Sequence, residues 1–349
     1  MAVCRHLCAV FISMCAAVGL AQQPSQATQP GTSAAPPNRI TLDVVVSSKN
    51  GEPVSGLTQQ DFAVSDNKSP QTITSFRALS GQDQPIEVIL LIDAVNTGYS
   101  TVAYERAQID RFLQANGGAL LYPTQLAVFT DTGAQIQQGF SKDGNALANL
   151  LDHYTVSLRA ITRSAGFYGA ADRLQLSLKT ISQLAVFGNT LPGRKLLLWI
   201  SPGWPILSGP NVELSTKQQA YIFDMISYLS TELRRARITV YSIDPSGTSD
   251  IGFRTFYYQS FLKGVRKPNQ AQYGNLALQV LATQSGGLAL NSSNDTAAML
   301  QKAVDDAKAY YELSFDPVPG EPDEYQQIDV KLAKPGLTAR TRSGYYSSK

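Results

Sequence analysis

The strongest constraint on this chain is a set of short apolar runs separated by segments of helical period. Residues 86–92, 195–200 and 238–243 are each almost continuously apolar or β-branched, and turn residues bound them (Pro85, Pro192-Gly193, Asp244-Pro245). Such runs suit strands covered on both faces rather than strands with one wet side. Residues 125–129 are a fourth candidate of the same kind. Between the runs, apolar residues recur at helical spacing. A helix over 101–115 turns Ile109, Phe112 and Leu113 inward, and a short one covers 145–151. A longer helix over 168–187 carries Leu174, Leu178, Ile181, Leu184 and Ala185. The clearest, over 215–236, has Ile222, Met225, Ile226, Leu229 and Leu233 on one face. Two more helices are expected near 272–285 and 294–309, around a short strand at 288–290. Strand-helix alternation of this kind predicts an α/β domain over 84–309, with a mainly parallel sheet and helices on both faces.

The two ends of the chain read differently. Residues 40–46, 61–64 and 72–76 are strand candidates, with Asn50-Gly51 as a turn signal, and 310–315, 327–332 and 338–342 are three more. Neither set builds a core alone. The economical reading joins 39–80 and 310–349 in one small β-sandwich, with the α/β domain inserted between them.

Residues 1–21 read as a secretory signal: basic Arg5, the apolar run Ala9-Val10-Phe11-Ile12, then Gly19-Leu20-Ala21 as a small-residue cleavage site. Residues 22–38 are rich in Gln, Pro, Ser, Thr and Ala and read as a disordered linker. The signal is too short for a comfortable membrane span, and no later segment is long and apolar enough for one. A retained N-terminal anchor is the alternative. Cleavage leaves no cysteine, because Cys4, Cys8 and Cys15 all lie within the signal. Disulfides, thiolate nucleophiles and cysteine metal sites are thereby excluded. His6 leaves as well, so His153 is the one imidazole of the mature chain. Of 29 basic residues only Arg5 is lost, so 28 face 27 acids, a formal charge of +1. That balance offers no electrostatic footprint for nucleic acid or an anionic membrane.

Several phrases stand in a distinctive order: Asn50-Gly51-Glu52-Pro53-Val54-Ser55-Gly56-Leu57 with Asp61-Phe62, then Val88-Ile89-Leu90-Leu91-Ile92-Asp93. Pro192-Gly193-Arg194-Lys195, Ser201-Pro202-Gly203 and Val240-Tyr241-Ser242-Ile243-Asp244 follow. Ser285-Gly286-Gly287, Tyr310-Tyr311-Glu312-Leu313 and Ser343-Gly344-Tyr345-Tyr346 close the chain. Together they span nearly all of the mature sequence. In this order the chain resembles the von Willebrand factor A superfamily, specifically the VWFA-related proteins of the Acidobacteria type. The resemblance implies a three-layer Rossmann-like domain whose binding site lies at the carboxyl ends of the parallel strands. In intact members a strand ends in Asp-x-Ser-x-Ser. Those oxygens, a loop Thr and a later Asp hold a divalent cation, and the partner supplies an acidic side chain to complete the shell.

Carried onto this sequence, that pattern is incomplete. Asp93 keeps the first position, but Val95 stands at the first Ser position and offers no side-chain oxygen. Thr97 retains the second hydroxyl, Ser164 falls near the loop Thr, and Pro202 stands where the later Asp is expected. Asp93, Thr97 and Ser164 are therefore the remnant metal candidates, at most for a weakly bound Mg²⁺ or similar cation, and no cofactor is required. A hard cation wants a near-octahedral oxygen set, which these residues do not fill. Asp93 has a second reading, as an N-cap or loop acceptor for the helix that follows. The partner-binding candidates are Asn96, Asp131, Ser201 and Trp204. Asp131 also reads as a turn-former, and Trp204 either as an exposed anchor or as packed against a helix. The loop over 246–270 holds Phe253, Phe256, Tyr257, Tyr258, Arg254 and Lys263. It reads as a partner-binding surface or a flap over the sheet edge.

Three functional classes compete. One is a non-catalytic binding module presenting loops 93–101, 130–134, 163–169, 201–211 and 246–270 to an extracytoplasmic protein. A second is an enzyme, for which the sequence lacks a Gly-x-Ser-x-Gly elbow, a phosphate loop and a His-Glu-x-x-His helix. A Ser-His-Asp triad would have only His153 to use, and a glycosidase-like carboxylate pair among the 27 acids stays open. The third is a structural envelope component joined through edge strands. The first is the expectation, with Asp93, Thr97, Ser201 and Asp244 along one rim of the sheet.

Overall fold

The computed structural model describes residues 39–80, 84–155, 166–207, 213–247, 256–291 and 293–347. The signal and linker expected over 1–38, and Ser164, lie outside the described residues. The chain begins with β1 (Ile40–Ser47), β2 (Phe62–Asp66), β3 (Ser69–Gln71) and β4 (Ser75–Ser80). The alternating part follows: β5 (Ile86–Asp93), α1 (Tyr99–Leu113), β6 (Ala119–Thr130), β7 (Gly133–Ile136) and β8 (Ser141–Asp143). Next come α2 (Gly144–Thr155), α3 (Gly166–Asn189), β9 (Arg194–Ile200), α4 (Thr216–Arg235) and β10 (Ile238–Ile243). α5 (Leu278–Gln284), β11 (Ala289–Leu290) and α6 (Thr296–Asp305) complete that part, and β12 (Ala309–Phe315), β13 (Tyr325–Leu332), β14 (Thr338–Arg340) and β15 (Gly344–Tyr346) end the chain.

Strand alternation explains the layers. Successive side chains of a strand point to opposite faces, so a strand apolar at every position feeds two cores. Ile89, Leu91, Leu197, Trp199 and Val240 join one cluster with Leu178, Ile181 and Leu184 of α3 and Ile222, Ile226 and Leu229 of α4. Val88, Leu90, Leu196, Leu198 and Tyr241 join the other with Ile109, Phe112 and Leu113 of α1, Leu147 of α2 and Leu300 of α6. The sheet runs β11-β10-β9-β5-β6-β7, with β8 also on β6. β5, β6, β9, β10 and β11 are parallel, and β7 and β8 pair antiparallel with β6. The fold is thus mixed α/β with a mainly parallel sheet.

The terminal segments interleave strand by strand. One four-stranded sheet has the order β14-β1-β12-β4 and another β15-β13-β2-β3. Leu42, Val44 and Val46 of β1 share a cluster with Phe62 and Val64 of β2, Leu313 and Phe315 of β12 and Ile328 of β13. Val45, Leu79 and Tyr310 face the other way, into the core that α1 and α6 cover. The Tyr311 hydroxyl donates to the Val54 carbonyl at 2.9 Å and accepts from the Leu57 N–H at 3.1 Å, which fixes the loop that Asn50-Gly51 opens.

Four local expectations change. The strand expected over 72–76 lies at Ser75–Ser80, because pairing with β12 sets its register from Ser75↔Ser314 to Ser80↔Ala309. β6 is longer than 125–129 because hairpin partners on the sheet edge prolong it. The helix expected over 272–285 is divided: Ala277 is extended (φ −64°, ψ 145°), so a 3₁₀ turn over Tyr273–Leu276 precedes α5. α6 ends at Asp305, short of 309, and Ala309 already belongs to β12.

Candidate functional site

The strand order reverses beside β5. The chain passes from β5 to β6 on one side, then crosses to β9 on the other and continues outward to β10. At such a switch point the loops leaving two neighbouring strands part, and a crevice opens at the carboxyl ends. β5, β9 and β10 pair in register, Ile92↔Ile200 and Ile200↔Ile243, so Asp93, Ser201 and Asp244 leave three adjacent strands at the same edge. Asp93, Ser201 and Asp244, three of the four residues expected along one rim, therefore share it.

Asp93 is fully buried. Its Oδ1 accepts from the backbone N–H groups of Val95 at 2.9 Å and Asn96 at 2.8 Å. Its Oδ2 accepts from Asn96 Nδ2 at 2.9 Å and from the Trp199 indole N–H at 3.0 Å, and the Ser201 hydroxyl adds a further bond. A carboxylate offers about four acceptor positions, and protein donors already occupy that many. Burial pushes this carboxyl above the usual range, opposed by the bonds from Asn96, Trp199 and Ser201. The geometry is that of the loop acceptor. Ser201 is buried as well, and its Oγ accepts from the Gly203 N–H at 3.1 Å, so it supports the loop from beneath rather than facing a partner.

Asn96 bridges two elements, since its Nδ2 also reaches Ser177 Oγ of α3 at 3.1 Å. Its Oδ1 and the Thr97 hydroxyl are buried without a hydrogen-bond partner among the described residues. Trp204 is 4% exposed, and its indole stacks edge-on against Trp199 with ring centroids 5.0 Å apart. It is therefore packed and not an exposed anchor. Its N–H has no acceptor among the described residues. Asp131 sits exposed in the turn between β6 and β7 and lines no part of the crevice described here.

A cavity of about 490 Å³ opens at this edge, lined by Asn96 from the β5 loop, Pro202 to Ile206 from the β9 loop, Ala170 and Arg173 from α3, Tyr257, and Gln279 from α5. Gly203 carries φ +107°, and a Cβ there would lie 2.4 Å from Gln279 Nε2. That close approach lets Gln279 Nε2 donate to the Pro202 carbonyl at 3.4 Å and tie the β9 loop to α5. In the 246–270 segment, Phe261 packs with Ala277 and Val280, with Tyr257 and Tyr258 against them, as a flap would. Phe256 beside them is 58% exposed.

Arg173, Ser177 and Gln279 were not among the sequence candidates, nor was Glu105. Glu105 is completely buried, and neither of its carboxylate oxygens has a hydrogen-bond partner among the described residues. Burial, then the charges of Asp93 and Asp244, push its carboxyl well above the usual range. No group of three His, Cys, Asp or Glu side chains placed to hold a metal ion occurs among the described residues. His153 is exposed on α2, with Nδ1 2.7 Å from the Asn149 carbonyl.

No family model matches the chain, and no curated protein does. Similar solved structures include the human COPII-coat protein Sec24c (9% identity, TM-score 0.39, 76% of this chain and 44% of that one). The pilus adhesin SpaC from Lactobacillus rhamnosus GG is 10% identical, with TM-score 0.38 over 84% of this chain and 49% of that one. A von Willebrand factor type A protein from Catenulispora acidiphila is 11% identical, with TM-score 0.33 over 90% of this chain and 76% of that one. The chain spans about half the length of the first two. At these values none of the three assigns the chain to a family.

Proposed function

We propose that the chain is an exported, non-catalytic protein-binding module of von Willebrand factor A type, of adhesion or scaffold character, whose metal-ion-dependent adhesion site is degenerate. In this reading residues 1–21 direct export to the periplasm, the envelope or the medium, and the two terminal sheets form a β-sandwich beside the α/β domain. No helix among the described residues is long and apolar enough to cross a membrane.

One observation carries the reading. The acid that would anchor a cation, Asp93, has its acceptor positions filled by N–H and O–H donors, while the crevice above it stays open. A divalent cation bound by oxygen ligands does not fit that donor set. Val95 and Pro202 replace two of the oxygens it would need. The non-catalytic part rests on the single imidazole of residues 22–349 standing on α2, bonded to its own helix.

Thermal unfolding with Mg²⁺, Mn²⁺ or Ca²⁺ against EDTA tests the metal statement, because a ligand that binds only the folded state raises the midpoint with concentration. An unchanged midpoint is expected; a clear rise abolished by Asp93→Ala would establish a working cation site. Affinity capture of envelope proteins by the full chain tests the binding statement. Specific capture is expected, and the reading fails if nothing is retained above a blank surface.

A further inference from the structure

A second concave surface, of about 670 Å³, shares no lining residue with the crevice at the sheet edge. One wall is the segment over 260–275; the other is formed by Tyr325, Gln327 and Ile328 of β13 with Ser343. Three contacts hold the walls together. Gly264 lies so close to the Tyr325 ring that a Cβ there would overlap it. The Tyr346 hydroxyl donates to the Val265 carbonyl at 2.9 Å, and Asn275 Nδ2 donates to the Phe261 carbonyl at 3.3 Å. The groove is therefore built into the packed fold.

Its charge is one-sided. Lys263 and Arg266 line it, and no Asp or Glu does so among the described residues. Both are exposed. The Lys263 ammonium has no ion pair or hydrogen bond among the described residues, and Arg266 reaches only Asn67 Oδ1, at 3.5 Å. A third cation stands next to the wall in the chain. Arg342, before the lining Ser343, is 8% exposed, and its guanidinium has no ion pair or hydrogen bond among the described residues. A guanidinium does not give up its proton. Asp43, the acid whose charge favours Arg342, is paired with Arg237, while the like charge of Arg234 opposes it. Burial pushes the Tyr325 phenol up, and its bond to Ser343 and the charges of Arg266 and Arg342 oppose that rise. Both cations thus act on the groove wall. A buried charge without a partner is costly, and an anion in the groove offsets part of that cost.

We propose that this groove binds an acidic glycan, with Lys263 and Arg266 meeting uronate carboxylates and side-chain amides meeting the sugar hydroxyls. Gln270, Gln272 and Gln327 line it, and an amide carries both donors and an acceptor, as a hydroxyl does. The volume falls in the range of small-molecule sites, about 300–1,000 Å³, so a free oxyanion would leave most of it to water. An extended acidic peptide fits less well. β13, the strand in the wall, lies inside its sheet between β15 and β2 and offers no edge to pair with. The assignment goes beyond the protein-binding reading of the crevice and does not depend on it.

The test is a calorimetric titration of the full chain, in EDTA and at fixed ionic strength, with tri-galacturonate and with tri-mannuronate. Their methyl esters, a tri-aspartate peptide and inorganic phosphate are the controls. Saturable binding of at least one tri-uronate is expected. Its methyl ester should bind about tenfold more weakly or worse, the loss expected when charge-assisted hydrogen bonds disappear. The same loss is expected for the tri-uronate with the double variant Lys263→Gln, Arg266→Gln. Both positions are exposed, so an unchanged thermal midpoint should show that this variant keeps the fold. Arg173→Gln, in the crevice, should bind as the parent does. No saturable binding of either tri-uronate, or equal binding of the ester, the peptide or phosphate, would overturn the assignment. Full affinity in the double variant, or a loss in Arg173→Gln, would overturn it as well.

Discussion

Glu105 and Gly203 show how single positions near the crevice bear on stability. An acid whose carboxyl is raised in the folded state holds its proton more tightly there than in the unfolded chain. Stability therefore falls as pH rises from the ordinary value of 4.5 through the raised one. Glu105→Met removes the buried carboxylate from an otherwise apolar helix face. It is expected to stabilise the chain at pH 7 by about 1–3 kcal/mol and to flatten the decline of stability above pH 4.5. Urea unfolding at several pH values reads both effects, and an unchanged or lower midpoint would show that Glu105 is served by a partner. Gly203→Ala meets two obstacles, the left-handed φ and the Gln279 amide. A loss of about 1–3 kcal/mol is expected, read as a lower urea midpoint.

At the scale of elements, α4 owes its start to local chemistry and its place to packing. Ser215 and Gln218 form a capping box, with Ser215 Oγ accepting from the Gln218 N–H at 3.4 Å and Gln218 Oε1 accepting from the Ser215 N–H at 2.9 Å. Ser215→Ala should cost about 1 kcal/mol, seen as a lower urea midpoint with an unchanged slope, because the buried stripe from Ile222 to Leu233 still holds the helix. α3 works differently. Its apolar stripe fixes the helix against the sheet, and its other positions bring Arg173 to the crevice and Ser177 to Asn96. The helix is thus both a wall of the core and a wall of the pocket.

At the scale of the whole molecule, residues 37–349 form one compact unit. The sheet β14-β1-β12-β4 stands between two cores, and charge reinforces that junction. Arg237, just past α4, donates to Asp43 of β1 at 2.5 Å and lies 2.6 Å from Glu312 Oε2 of β12. The second contact is a close charge pair without hydrogen-bond alignment. Glu312 also accepts from Arg77 of β4 at 3.0 Å. Removing one partner of a fully buried pair costs about 3–5 kcal/mol. The Arg237 side chain is 27% exposed, so Arg237→Met is expected to cost less, about 2–3 kcal/mol. The loss should appear as one cooperative transition at lower temperature. Two separate transitions would mean that the terminal sheets and the α/β part unfold independently.

The amino-acid order by itself determined the periods, and with them the alternation, the two covered faces of the sheet and the polar edge where β5 and β9 end. Each of these depends on side chains a few positions apart. A carboxylate at Glu105, four residues before Ile109 and seven before Phe112, was equally visible as an acid on an apolar stripe, although nothing local said what lies beside it. Only the tertiary structure decided the state of Asp93, because its Oδ2 is capped by Trp199, 106 residues away. It also decided that Asn96 is held by Ser177, 81 residues away, which brings Asn96 and the α3 wall carrying Arg173 together. Hydrogen bonds between distant strands and helices leave no period in the chain, so the crevice emerges only once the sheet has closed over both cores.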